Sequence, residues 1–393
     1  MSKILYVVSR PLEINTSASI RNKATILGLL KNGCQVHLIT TEPDTNHIAY
    51  DNSNGIPEIR ETTKYIRLGG KQSILRIVRR FSVLTSLKLF VGKHFVGKNE
   101  IYDNLKSICS HTHEIDLKRE KFDYIISSSD PKSSHLFIYK LLEEQGNAFT
   151  GKWIQIWGDP FLHDMTVNRP ELKGDIQREE QRLLHKADKI IYVSPLTLEE
   201  QKKTYVEEAG KMAFVPIPYA KKMTDSNKQF GLDDTLNLIY CGDYNTSIRN
   251  LKALYDAVSE MDNVRLKIYG GSNKPLQSND KVMVYERSPF NKIVQEEEAS
   301  DVLVHLSNLK GSQIPGKIYQ YSGTYKPILF ILDGNHLQLM NVFKRFNRFY
   351  FCKNTKDSIR IGIEAVRTGD PKIINKPIEE FDYCIVARQI LNV

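Results

Sequence analysis

Residues 3 to 42 leave little freedom of fold. KILYVVS is a short apolar run of the buried-strand kind, and ASIRNKATILGLLKNG carries Ile20, Ala24, Leu27 and Leu30 at helical spacing before stopping at Gly33. CQVHLITTE follows at once as a second strand. Strand, helix and strand with so short a return form a β–α–β unit, and that unit belongs to a parallel sheet. The same alternation resumes in KFDYIISSSDPKSSHLFIYKLLEEQG, KWIQIWGDPFLHDM, the helix REEQRLLHKAD and the strand KIIYVSP. Arg178, Glu179, Glu180 and Arg182 of that helix read as a solvated face. Residues 44 to 55, rich in Asn, Asp and Gly, read as a loop or insertion.

A chain of 393 residues exceeds what one core usually serves, so two domains are expected. The boundary falls in FVPIPYAKKMTDSNKQFGLDDT, which is rich in Pro and charge and poor in periodicity. We read residues 1–215 as the first domain, 216–234 as the linker and 235–375 as the second domain. Residues 376–393 form a closing helix with Phe381, Tyr383, Ile385, Val386 and Ile390 on its apolar side. The second domain repeats the pattern: LNLIYCG, the helix LKALYDAVSEMD, VRLKIYGG, KVMVYERS, the helix NKIVQEEEAS and DVLVHLSN.

Hydrophobic residues make up 41% and charged residues 26%, as in a soluble globular protein. There is no apolar run of about 18 residues, and MSKILYVVSR lacks the core of a signal peptide, so the chain is expected to stay in the cytoplasm. Cys34, Cys109, Cys241, Cys352 and Cys384 show no metal-ligand or redox spacing, and no metal site is expected. The net charge of +9 is concentrated between Lys64 and Lys106, where ten basic residues face two acidic ones. Arg76, Arg79 and Arg80 lie among Ile74, Ile77, Val78, Phe81, Leu84, Leu87 and Phe90, which recur at helical spacing. Residues 64–106 are thus expected to lie on an anionic membrane surface. The alternative is an apolar stripe packed on the core with its cations merely solvated. No nucleic-acid motif accompanies the charge, and no nucleic-acid partner is expected.

The stretch Gly311 to Pro327, GSQIPGKIYQYSGTYKP, reads as a loop, a helix start and a second turn. Pro315 suits a first helical turn, and Gly311 and Gly316 permit close approach to backbone. With Lys317 beside it, such a corner presents free N–H groups and a cation to an anion, and the expected anion is a phosphate. The plain alternative is an ordinary corner of an α/β sheet.

IPGKIYQYSGTYKPILFI resembles the signature of retaining glycosyltransferases of the GT-B fold, the large family-four group. The resemblance implies two Rossmann-like domains facing each other across a cleft, with the final helix returning to the first. It implies that this segment holds the diphosphate and ribose of a sugar donor, through Ser312, Ile314, Gly316, Lys317 and Gln320. Gln320 stands where the family has its ribose-binding carboxylate, and Ser312 where it has an earlier glutamate. CGDYNTSIRNL is similar to the family's Gly-Arg turn: Gly242 is kept, Asp243 replaces the arginine, and Arg249 stands at the position of a lysine. Gly270 and Glu286, at the ends of the next two strands, would border the base.

In the first domain the resemblance carries over His135, Asp159 and Pro160, while Gly158 and Phe161 replace an arginine and a tryptophan. Carboxylates at the C-terminal tips of parallel strands lie where such sheets bind ligands. Asp159 is accordingly expected to meet the acceptor or the reacting sugar, with Arg21 and His135 beside it; His163 and Asp164 are close in sequence. Asp159 and Arg21 have plain alternatives, as a turn cap and an exposed helix residue.

The function implied is transfer of a sugar from a UDP- or GDP-linked donor to a glycan or lipid-linked acceptor, in surface polysaccharide or glycoconjugate synthesis at the inner face of the cell membrane. Asp159, Lys317 and Arg249 would carry the chemistry, without metal or cofactor. Two alternatives stand beside it: a nucleotide-sugar epimerase, and a homologue that binds without turnover.

Overall fold

A computed structural model describes residues 1–68, 100–165, 170–220, 231 and 234–393. Most of the basic amphipathic stretch, including Arg76, Arg79 and Arg80, lies outside the described residues. The chain divides into two compact units: residues 1–193, 197–215 and 387–393 form the first, and residues 194–196 and 216–386 the second.

The first unit is built on seven parallel strands: β1 (Lys3–Val7), β2 (Gln35–Thr41), β3 (Thr63–Ile66), β4 (Tyr124–Ser128), β5 (Lys152–Trp157), β6 (Lys189–Tyr192) and β7 (Met212–Phe214). They lie in the order β3-β2-β1-β4-β5-β6-β7. The strands are short apolar runs because helices cover both faces, so no solvent side is left to mark with polar residues. Trp153, Trp157, Phe137 and Leu141 fill the core beneath them, each with no exposed surface. The helix Ser17–Lys31 is started by Thr16, whose hydroxyl accepts from the Ser19 N–H at 3.1 Å. The strand order reverses between β1 and β4, and such a reversal opens a crevice at the C-terminal ends of the strands.

The second unit repeats this with six parallel strands: β8 (Leu236–Cys241), β9 (Val264–Tyr269), β10 (Val282–Tyr285), β11 (Val302–Leu306), β12 (Ile328–Leu332) and β13 (Phe349–Lys353). Their order is β10-β9-β8-β11-β12-β13, reversing between β8 and β11. Phe330, at the centre of β12, meets Phe343 at 5.4 Å, Phe349 at 5.7 Å and His305 at 4.7 Å between ring centroids, all edge to face. Such pairs add about 0.5–1.5 kcal/mol each beyond burial.

Several readings change. β3, β7 and the helix Pro195–Thr204 do not stand out in the sequence because each is short or flanked by mixed polarity. Residues 216–220 are no free linker: Ile217 and Tyr219 are buried, Tyr219 pairs with Asp382 in a β-bridge, and its ring covers Gly323 so closely that a Cβ there would collide. The helix Lys317–Tyr321 has only five residues, too few for a substantial dipole, so any anion beside it must be met mainly by side chains. Glu180, read as solvated, has no exposed surface.

Candidate functional site

In the second unit the corners after β8 and β11 flank the strand-order reversal. The β8 corner is a tight loop in which the N–H groups of Ile248 and Arg249 both donate to the Asn245 carbonyl, at 2.8 and 2.6 Å. It is stitched to the β11 corner by Leu309 N–H donating to the Ile248 carbonyl at 2.7 Å. The Asn308 amide closes the β11 corner by donating to the Gln313 carbonyl at 2.9 Å.

Arg249 leans against Gly242, whose missing Cβ would lie 3.6 Å from its guanidinium, and its Nε is buried with no hydrogen-bond partner among the described residues. Its charge reaches buried His305, which burial and the neighbouring guanidinium push down to about 3, so that ring is neutral. Lys317 rises from the β11 side, and its ammonium donates to Glu297 Oε1 at 2.6 Å and lies 5.4 Å from the Tyr321 ring centre. Burial works against the ammonium, yet Glu297 offsets that and holds it above the usual lysine range. An ammonium has three donors, so with Glu297 on one, two face elsewhere.

Of the other candidates, Ser312 and Ile314 are buried in the β11 corner and Gly316 precedes Lys317, where a Cβ would merely touch Ile217 at 3.4 Å. Gln320 is half-buried. Gly270 is glycine because a Cβ would enter the Gly242 carbonyl, so the glycine serves strand-to-strand approach. Glu286 is exposed after β10, at the sheet edge and two strands from β8. Asp243 is bound bidentately by Arg287 and accepts the Gly271 N–H at 2.8 Å. Against the effect of its burial, these contacts hold its carboxyl below the ordinary range. Arg287, which sequence reasoning passed over, thus sits at the β8 corner with its charge engaged.

In the first unit the corners after β1, β4 and β5 bring Arg21 and Asp159 to one place. Arg21 is buried, not an exposed helix residue, and Gly158 explains how: its missing Cβ leaves the space that the guanidinium fills. The guanidinium donates to Ser128 Oγ at 3.3 Å, while its Nε has no partner among the described residues. His135 does not present itself to a ligand. It has no exposed surface, its Nδ1 bonds Ser127 Oγ at 2.7 Å, and its ring lies on Trp157 at 4.2 Å. Burial, with Lys132 and Arg21 nearby, keeps it neutral.

Lys132 and Glu180 were missed. The Lys132 ammonium is bonded to Asp130 and, at 2.7 Å, to Asp164. Burial opposes its charge, but Asp130, Asp164 and Asp159 hold it above the usual range. Asp159 is half-buried, and burial followed by the charges of Asp130 and Asp164 pushes its carboxyl up to about 7, with Lys132 and Arg21 pulling the other way. Glu180 fixes the loop behind it, accepting from the N–H groups of Phe161 and Leu162 at 2.7 and 2.9 Å and from the Tyr205 hydroxyl at 2.8 Å. A carboxylate inside a helix face of alternating charge gives no sequence sign of this burial.

No protein-family model matches the sequence, and no curated protein matches it. Solved structures match along the whole chain. HepE of Anabaena, in complex with UDP-glucose, is 11% identical over 100% of this chain and 99% of its own, with a TM-score of 0.58. The lipopolysaccharide outer core galactosyltransferase WaaB, in its apo form, is 13% identical over 99% and 98%, with a TM-score of 0.57. A glycosyltransferase from Rickettsia africae is 12% identical over 100% and 97%, with a TM-score of 0.56. With its parallel sheets of seven and six strands, the chain has the two-domain α/β fold of these glycosyltransferases, the GT-B fold.

Proposed function

We propose that the protein is a glycosyltransferase that takes a sugar from a nucleotide-diphosphate donor, UDP- or GDP-linked, and that its second unit binds the donor. The observation that carries the reading is the pair of cations at the β8/β11 reversal: a guanidinium with a buried unpartnered Nε and an ammonium pinned by one carboxylate, on two corners joined by a backbone hydrogen bond. Two solved structures of the same fold, those of HepE and of a plant enzyme, hold UDP-sugars.

In this reading Lys317 and Arg249 neutralise the departing diphosphate. Charge stabilisation by preorganised donors can supply several kcal/mol in a site shielded from water. The bond from the sugar's anomeric carbon to the diphosphate oxygen breaks with its electrons leaving on the nucleotide, and the acceptor oxygen bonds that carbon as its hydroxyl proton passes to the departing diphosphate. Gln320 would accept a ribose hydroxyl without charge assistance. Asp159 and Arg21 would meet the acceptor, a glycan or lipid-linked sugar. We further propose retention of anomeric configuration, independence of metal, and attachment of residues 64–106 to an anionic membrane at the inner face of the cell membrane during surface glycan synthesis. No helix among the described residues is long and apolar enough to cross a membrane.

Incubation with radiolabelled UDP- and GDP-sugars, with and without added glycan acceptors, tests the reading. Acceptor-dependent appearance of label in a larger product supports it. Conversion of the donor to another nucleotide-sugar without acceptor would favour an epimerase. Binding without any conversion would favour a homologue that only binds, for which the engaged charge of Asp243 and the uncharged Gln320 speak.

A further inference from the structure

In the first unit, the helices Ser133–Gln145 and Lys173–Lys186 and the turn that follows Tyr205 border a surface cavity of about 340 Å³. Pockets of about 300 Å³ and upward hold small organic ligands. Lys186 stands just before β6 begins, whereas Asp159 follows the end of its parallel neighbour β5, so the cavity and the Asp159 corner lie toward opposite ends of the sheet. Its wall is fixed: Lys211 Nζ donates to the His185 carbonyl at 2.7 Å and the Lys211 N–H to the Glu208 carbonyl at 2.9 Å, tying the turn to the helix end. Glu208 lines the cavity with 2% of its side chain exposed, and neither carboxylate oxygen has a hydrogen-bond partner among the described residues. His185 Nδ1 stands 3.4 Å from one of them, an ion pair only when that exposed ring is protonated. We infer that this cavity binds a small organic ligand through a primary ammonium group seated on Glu208.

Charge decides the class of ligand. Besides His185, the cavity is lined by Arg178, Arg182 and Lys186, and the first two are already matched. Arg178 is bonded to Asp175, and Arg182 holds Glu179 through hydrogen bonds of 2.7 and 2.8 Å while its guanidinium lies 3.9 Å from the Tyr139 ring centre. That leaves exposed Lys186 against exposed Glu207 and buried Glu208, one negative charge in excess. An anion would meet the buried carboxylate, and a neutral sugar would bring hydroxyls without the missing charge. A quaternary ammonium has the charge but no N–H to give. A primary ammonium supplies the charge and three donors, enough for both oxygens of a carboxylate whose burial is otherwise unfavourable. A metal ion needs several protein ligands, and no group of three His, Cys, Asp or Glu side chains suited to one occurs among the described residues. An amino sugar and a short alkyl diamine share the chemistry required.

The test is calorimetric titration of the whole protein with glucosamine and with putrescine, beside N-acetylglucosamine and magnesium chloride. At least one of the two amines is expected to bind, and which one tells whether a sugar ring or a carbon chain is accepted. N-acetylglucosamine, whose nitrogen carries no charge, and magnesium are expected not to bind there. Glu208→Gln, which keeps the side chain's shape, should weaken the amine by about tenfold or more. Lys186→Met should tighten it by removing a cation at the rim. Asp159→Asn should leave its affinity unchanged, because the acceptor corner is elsewhere. Binding of neither amine, equal binding of N-acetylglucosamine or magnesium, an affinity unchanged in Glu208→Gln, or an affinity lost in Asp159→Asn overturns the inference. The exposed Lys186→Met variant keeps the test decisive if Glu208→Gln does not fold, since an affinity that fails to rise there overturns it as well.

Discussion

Lys317 reaches Glu297 at 2.6 Å across a corner where the glutamate keeps 7% of its side-chain surface and the lysine 24%. The two residues are twenty positions apart, one on the helix before β11 and one just after it, so the pair fixes the corner as well as the cation. A largely buried ion pair of this kind contributes less to net stability than its loss costs, because removing one partner strands the other's charge.

Glu297→Gln is therefore expected to destabilise the protein by about 3 kcal/mol, whereas Glu297→Leu with Lys317→Met, which removes both charges, recovers most of that loss. Urea unfolding of the three variants measures it. The same double variant should lose nucleotide binding, separating the stability of the corner from its ligand role.

Asp159→Asn is expected to stabilise the fold. The folded carboxyl sits near 7 and the unfolded one near 4, so the charged form is disfavoured on folding. The penalty is absent below the unfolded value, grows as pH rises between the two, and is complete above the folded one. The variant should gain up to about 4 kcal/mol at pH 8 and nothing at pH 3.5. Equal gains at both pH values in thermal melts would show that ionisation is not the cause.

Glu180→Ala should cost about 2–4 kcal/mol, because it strands the Phe161 and Leu162 N–H groups and the Tyr205 hydroxyl. Its neighbour Glu179 pairs with Arg182 on a partly exposed face and accepts from the Tyr102 hydroxyl, and Glu179→Gln should cost about 1 kcal/mol. Denaturant midpoints for the two variants decide whether the helix face is as unequal as described.

Gly158→Ala should displace Arg21, since a Cβ there would fall on its guanidinium. Overpacking of this kind costs about 1–3 kcal/mol. If Arg21 serves the acceptor, the loss of transfer should exceed the loss of stability, with KM for acceptor rising more than KM for donor.

The parallel-sheet alternation was legible from the start, because buried strands separated by 3.6-periodic helices have few other homes. KILYVVS and LNLIYCG appear as β1 and β8 almost at the residues expected. β3 and β7, with four and three residues at the two edges of one sheet, carry too little pattern to register. At the site, Lys317 and Arg249 were legible as cations at strand tips, and the structure gathers their corners. Their partners were not legible: Glu297 sits in the run QEEEAS, where nothing marks which of three glutamates turns inward. Lys132 gave no sign in the sequence, and Arg21, expected beside Asp159 with an exposed helix residue as the alternative, is buried; both depend on Asp164 and Gly158, contacts made far along the chain. His135, carried over by resemblance, belongs to the core with Trp157.

In the proposed function Arg249 and Lys317 grip one diphosphate. Calorimetric titration of UDP and GDP into wild type, Arg249→Ala, Lys317→Ala and the double variant tests it most directly. Each single change should weaken the preferred nucleotide by about 1.5–3 kcal/mol, with the double variant departing from the sum by more than about 0.5 kcal/mol because both cations share a ligand. Affinities unchanged in either single variant, with the fold intact, would contradict it.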